Sequence, residues 1–422
     1  MAILKTADAL PRSRAGRLSV PELVAMTAFA TSVVAMSIDS MLPALGVIAS
    51  SLGAVRENDR QLVIMMFFGG LTMGQLVYGP AADAFGRRRA MSVGLGVLVF
   101  GTMLCMTATS FRVLLAGRLI AGFGAAGPRI VSTALVRDLY SGREMARILS
   151  IAMAIFILVP VLAPSVGQGL LLVASWRAIF VLLLVMTVIV GLWFGLRQPE
   201  TLALADRRPL SLRPVARAFT EALMNRITRG YALASGLTYG ALIAFLGTAQ
   251  QTFAEQYGLG TSFPLYFAGL ATVLGISALL NARLVTRHGM RRIAGMALRL
   301  ATTSSILFFC IALATHGHPP LPALVGYLAI VFFCHGLMFG NFNALAMEPM
   351  GHIAGSAAAL IGSTTSLISV VVGTAIGRAY DGTVIPFVAG VACLTLAALV
   401  LTLRVERRSR IAIPAHGSRD SS

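Results

Sequence analysis

Long apolar runs, broken at short intervals by arginine, proline and glycine, recur along almost the whole chain. Leu62–Val77 and Leu149–Val173 are two of them, each continued by its flanks. A helix crossing the hydrocarbon core of a bilayer needs about 20 mostly apolar residues. The pattern predicts twelve such spans, at roughly 22–50, 60–82, 90–109, 112–137, 146–173, 177–196, 228–252, 264–286, 293–314, 321–347, 354–379 and 384–403. The longest connection, residues 197–227, is polar and rich in Arg and Pro. The expected organisation is an all-α integral membrane protein in two pseudo-symmetric six-helix bundles. They cover residues 1–196 and 228–422, joined by a central loop over 197–227, and the second ends in a tail.

Composition agrees: 57% of residues are hydrophobic and 12% charged, against about 25% charged in soluble domains. A net charge of +18 in a soluble protein would suggest a nucleic-acid partner. Here the arginines lie between the spans, so no nucleic acid is expected and the lipid bilayer is the partner. Basic residues near helix ends stay cytoplasmic. With the N-terminus inside, 26 of the 34 lysines and arginines fall on the cytoplasmic side and 5 on the other. That places both termini in the cytoplasm. The basic stretch Lys5–Arg17 precedes an apolar segment too long for a signal peptide and without a cleavage site, so an uncleaved first helix is expected. The cysteines (Cys105, Cys310, Cys334, Cys393) all fall in apolar spans without metal-ligand spacing and read as small buried hydrophobes. Neither cofactor nor metal is expected, and the chain reads as a monomer.

After span 2 the chain runs Gly79–Arg89 (G-P-A-A-D-A-F-G-R-R-R), and after span 8 it runs Asn281–Arg292 (N-A-R-L-V-T-R-H-G-M-R-R). A glycine followed by paired arginines thus recurs at equivalent places in the two halves, the second copy without the acid. Two similar halves with a site between them is the architecture of many secondary transporters.

Gly79–Arg89 resembles the signature loop of the major facilitator superfamily, G-x-x-x-D-x-x-G-R-R. Gly79 is expected to admit a neighbouring helix and Gly86 a tight turn. Asp83 can pair with Arg87 or Arg88, or face a helix N-terminus, as a latch between the two halves. Ser37–Leu45 (S-I-D-S-M-L-P-A-L) resembles the S-T-D-M-Y-L-P-A-L signature of the bicyclomycin- and chloramphenicol-resistance (Bcr/CflA-type) drug–proton antiporters. Val136–Tyr140, Trp176–Phe180, Pro199–Leu202, Tyr257–Leu259 and Ala354–Leu360 extend the likeness over almost the whole chain. The resemblance implies proton-coupled export of small molecules by alternating access. Span 5 reads Ala163–Gln168 (A-P-S-V-G-Q), keeping the proline and one glycine of the family's G-P-x-x-G-G element.

Asp39 lies inside span 1, where an acid costs roughly 2.5–3.5 kcal/mol on insertion scales. Desolvation favours its neutral form, so the group can bind and release protons as access alternates; alternatively, helix-end donors near Pro43 hold it. Arg118, which matches the family's arginine in span 4, is its expected partner. Arg129 follows on almost the same face and either meets substrate or snorkels to the surface; Arg299 is expected to snorkel. Tyr239, Gln250, His335, Asn341 and Asn343 are the polar candidates of spans 7 and 10, for a substrate cavity or for bonds between helices. His335 is a candidate second proton site, with Glu348 no better placed.

Gly122-Phe-Gly124-Ala-Ala-Gly127 fits a dinucleotide fingerprint in letters only; inside a membrane helix it reads as helix packing. No H-E-x-x-H, G-x-S-x-G or Walker motif occurs, so an enzyme or an ATP-driven pump is not expected. A proton-coupled importer of a specific metabolite remains the alternative.

Overall fold

The computed structural model describes residues 18–207 and 219–411. The basic stretch Lys5–Arg17, residues 208–218 of the central loop and the tail beyond 411 lie outside the described residues. Among the described residues there is no strand. Twelve helices there are long and apolar enough to cross a bilayer. They are α1 (Val20–Ser51), α2 (Glu57–Phe85), α3 (Arg87–Met106), α4 (Phe111–Leu139), α5 (Gly142–Val173) and α6 (Arg177–Arg197) in the first half. The second half holds α7 (Arg226–Gln256), α8 (Gly260–His288), α9 (Met290–Ala314), α10 (Leu321–Ile353), α11 (Ala357–Arg378) and α12 (Ile385–Arg407).

Both halves use the same pairings. In the first, α1 packs on α4, α5 and α6, α2 on α4, and α3 on α4 and α6. In the second, α7 packs on α10, α11 and α12, α8 on α10, and α9 on α10 and α12. The halves meet where α2 crosses α11 and α7, where α5 crosses α8, and where α7 touches a break in α1. Helix α1 is 83% buried over its most apolar stretch and α7 78%, against 33% for α6. The first helix of each half is therefore its most buried. Large apolar side chains such as Phe100, Leu192 and Leu307 point outward, as lipid-facing residues do. Cys105 and Cys334 are buried as expected, but Cys310 and Cys393 lie on the outer surface of the bundle.

Lipid tails are as apolar as leucine, so helices in a bilayer associate by close packing. The glycines of α4 provide it. A Cβ on Gly122 would sit 2.0 Å from the Phe67 carbonyl oxygen of α2, and one on Gly124 2.3 Å from the Leu98 nitrogen of α3. The G-x-G-x-x-G run is thus a seat for two neighbours. The close approach expected at Gly79 is absent, with nothing within 4 Å; Gly70 and Gly74 make it instead, against Leu119 and Phe123.

Helix α1 is not continuous. Its regular part ends at Asp39, a 3₁₀ turn over Leu42–Ala44 follows, and a short helix resumes over Leu45–Ser51. Pro43 lacks the N–H a continuing helix needs. Helix α5 presses on this break: a Cβ on Gly167 would lie 1.9 Å from the Ser40 carbonyl oxygen. The glycine retained in the α5 motif stands where only glycine fits.

Overpacking in a tight core costs about 1–3 kcal/mol, and an approach to backbone cannot relax by turning a side chain. Gly122→Val should destabilise by about 3 kcal/mol, read as a lower denaturation temperature in detergent, while Gly79→Ala should leave that temperature unchanged. Equal effects of the two would remove the packing argument.

Candidate functional site

At the arginine-rich end of the bundle, Gly86 turns the chain between α2 and α3 with φ +99°. Behind it, the Arg87 guanidinium donates to Asp83 at 2.5 Å and to Asp138, at the end of α4, at 2.8 Å. Arg88 donates to the Gly195 carbonyl of α6 at 2.6 Å. Glu200, in the chain leaving α6, accepts from the backbone N–H groups of Arg87, Arg88, Thr201 and Leu202 at 2.9–3.1 Å. A carboxylate at the first N–H groups of α3 meets both their unpaired donors and the positive end of the helix dipole. The second half repeats the device: Gly289 has φ +76°, and Arg291, at the start of α9, pairs with Glu348 at 2.9 Å. The acid missing from the second loop comes from α10. The expected latch between halves takes another form here, because these ion pairs each stay within one half.

At the centre, Asp39 is 6% exposed. Among the described residues, no hydrogen bond or ion pair reaches its carboxylate. The sequence pairs it with Arg118, but that guanidinium turns elsewhere. It donates to the Ser37 carbonyl at 2.7 Å and the Val63 carbonyl at 2.9 Å, and lies 4.4 Å from the centre of the Phe67 ring. The reason is the break in α1: a helix end leaves carbonyls without donors and carries negative partial charge. Arg118 answers both.

Tyr239 of α7 lies within electrostatic range of Asp39 and of Arg129, and its ring rests 5.1 Å from that of Phe339. Arg129 is exposed. Asn343 is partly exposed and donates to the Phe339 carbonyl at 3.1 Å. His335 makes bonds between helices: its ring nitrogens lie 2.5 Å from the Thr238 carbonyl and 2.9 Å from that of Val331, tying α10 to α7. Asn341 likewise donates to Asn281 of α8 at 2.8 Å. Arg299 is exposed.

At the opposite end, Gln250 belongs to a closure and not to the cavity. It accepts from Arg60 at 3.1 Å and donates to Glu255 at 3.1 Å, and Arg60 also forms an ion pair with Glu255. The end of α7 widens into a π-helical turn, Gln251–Gln256, that carries this acid. Beside it, Asn58 donates to the carbonyls of Arg378 and Tyr380 at 3.1 and 2.7 Å and accepts from Gln251 at 2.9 Å. Arg378 pairs with Asp59 at 3.0 Å. Apart from the bond between Gln250 and Glu255, both of α7, each of these bonds joins one half to the other. A cavity of about 600 Å³ lies over them, lined by Arg56, Asp59, Glu255, Arg378, Tyr380 and Asp381 among others. Burial, with the Glu255 charge nearby, pushes the Tyr380 hydroxyl up to about 12, so it stays a neutral donor.

The sequence profile of the Major Facilitator Superfamily matches residues 27–374. An uncharacterised MFS-type transporter, YdgK of Bacillus subtilis, is 31% identical over 81% of this chain and 85% of its own length. A bicyclomycin resistance protein homolog of Haemophilus influenzae is 28% identical over 86% and 90%. The multidrug resistance protein MdtL of Salmonella typhimurium is 28% identical over 66% and 73%. The crystal structure of the human organic anion transporter TETRAN superposes with a TM-score of 0.65 at 19% identity, over 92% of this chain and all of that one, which supports the fold alone. With twelve spans, two alike halves and the signature loop between α2 and α3, the chain belongs to the major facilitator superfamily and is a transporter, not an enzyme.

Proposed function

We propose that the protein exports drugs or other small molecules from the cytoplasm in exchange for protons, by alternating access. In this reading it works as a monomer in a bacterial inner membrane with its arginine-rich end and both termini in the cytoplasm. The observation that carries the proposal is Asp39. Among the described residues it has no ion-pair partner, and it is buried at a break in the most buried helix, within electrostatic range of Tyr239 on the other half. Such an acid is costly unless it carries a proton or meets a wet cavity. The drug-resistance relatives favour export over import. Arg118 keeps the break in place, and Arg129, Tyr239 and Asn343 face the substrate. The loop Gly79–Arg89 stiffens the arginine-rich end.

A membrane potential of about 100 mV is worth roughly 2.3 kcal/mol per charge moved. At 1.4 kcal/mol per tenfold, one proton sustains roughly a 40-fold gradient of a neutral substrate. The test uses protein in liposomes with an imposed pH difference and a radiolabelled drug. Asp39→Asn should lose gradient-driven transport, by at least about tenfold, and keep substrate binding within about twofold. Wild-type transport in this variant would sink the assignment.

The loop generates a second expectation. Asp83 is 44% exposed and Arg87 keeps Asp138, so Asp83→Asn should cost under about 1 kcal/mol of stability. Its transport rate should fall several-fold at unchanged substrate affinity. Glu200→Ala removes charge-assisted bonds to the start of α3 and should destabilise by about 1.5–3 kcal/mol. Thermal denaturation and initial-rate transport distinguish the two variants. Reporter fusions in the 197–227 loop should read cytoplasmic, and an external signal there would overturn the orientation.

A further inference from the structure

The cross-half cluster opposite the arginine-rich loops touches the broken helix directly. A Cβ on Gly46, in the short outer helix of α1, would lie 3.4 Å from Nη1 of Arg60, 3.4 Å from Nε2 of Gln250 and 3.6 Å from Oε1 of Glu255. The short helix that follows the break at Asp39 therefore rests on the cluster that closes this end. We propose that Arg60 is a positioning residue of the transport cycle. It holds this end shut by joining α2 to α7, and the outer helix of α1 relays changes at Asp39 to it. The inference rests on the alternating-access reading above.

Three observations support it. Arg60 is 6% exposed and serves both halves at once, donating to the Glu57 carbonyl of its own half at 2.9 Å and to Gln250 and Glu255 of the other. A buried guanidinium anchored on one body with charge-assisted bonds to the other makes their separation a discrete event, because its bonds to Gln250 and Glu255 run from one side chain and are made together or lost together. Second, Gln61, next in sequence to Arg60, is fully buried at the same seam, where its side chain lies against Gly247 of α7 and Gly377 of α11, so α2 meets both helices of the other half beside the cluster. Third, Gly46 leaves no side chain between the outer helix of α1 and the three polar groups. A small shift at the break therefore reaches them undamped.

The experiment reads gate opening without drug or proton gradient. Met65, 2% exposed and against Gly247 beneath the cluster, is replaced by cysteine in a protein whose native cysteines are changed to serine. The protein is reconstituted in nanodiscs and treated with a hydrophilic thiol reagent. With Arg60 intact, labelling should be slow. Arg60→Ala and Glu255→Gln should each raise its rate by about tenfold, which corresponds to a shift of roughly 1.4 kcal/mol in the opening equilibrium. Gly46→Leu should do the same, whereas Gly46→Ala, whose Cβ meets only ordinary contacts, should not. Exchanging the charges (Arg60→Glu with Glu255→Arg) should return the rate toward the original. Thermal transitions check that each variant is folded, and Glu255→Gln alters a half-exposed carboxylate, so it carries the test if Arg60→Ala does not fold. Unchanged labelling in folded Arg60→Ala or Glu255→Gln protein would overturn the gate, and unchanged labelling in Gly46→Leu would overturn the relay. Because no transport is measured, either failure leaves the Asp39 assignment standing, and failure of Asp39→Asn leaves the gate standing.

Discussion

Arg118 carries its charge at 1% exposure, in a medium that solvates charge poorly. Its guanidinium is satisfied by the carbonyls of Ser37 and Val63 and by the face of Phe67. Remove the break in α1 and the Ser37 carbonyl returns to its own helix, leaving a buried cation short of an acceptor. Remove the arginine and the interrupted helix end has nothing to meet its free carbonyl. Each defect is tolerable only because of the other. Their combination frees Asp39, two residues further on, from any structural duty.

The break depends in turn on close packing. Pro43 interrupts the hydrogen-bond ladder, and Gly167 lets α5 press onto the Ser40 carbonyl. Helix α4, which carries Arg118, is seated against α2 through Gly122 and against α3 through Gly124. Glycine at these positions places backbone against backbone, so the guanidinium arrives at the break along a rigid path. A medium-sized side chain at any of these contacts moves the charge away from its acceptors.

Much of this was legible in the chain itself, for physical reasons. Apolar runs mark spans because a bilayer admits backbone only as satisfied helix or closed barrel, and the expected limits of α4, α6 and α9 lie within a few residues of those found. The turn at Gly86 and the pairing of Asp83 with Arg87 are local, and local spacing announces them. The partners of Arg118, Glu200 and Arg60 are not local. Arg60 meets Glu255 across 195 positions and Glu200 meets Arg87 across 113, and nothing in the neighbourhood of either residue encodes the other. Gln250 reads as a cavity candidate because it is a polar residue of span 7; it is the last residue before the π-helical turn, and its bonds to Arg60 and to Glu255 of that turn place it in the closure. The acid that answers Arg291 was legible only as Glu348 at the end of a helix, not as the counterpart of Asp138.

The two ends of the bundle differ in where their bonds run. At the arginine-rich end, Asp83, Asp138 and Glu200 all serve α3 within the first half, and Glu348 serves Arg291 within the second. At the other end, Arg60, Asn58 and Arg378 each reach across. Bonds within a half survive when the halves rock; bonds across them must break. A set of ion pairs that stays intact through the cycle adds stiffness without adding a barrier, and lets a force at one helix move the half as one body. A set that breaks adds directly to the free energy of opening, and therefore to the barrier. The signature loop is thus suited to transmit motion, and the unannounced cluster at the far end to time it.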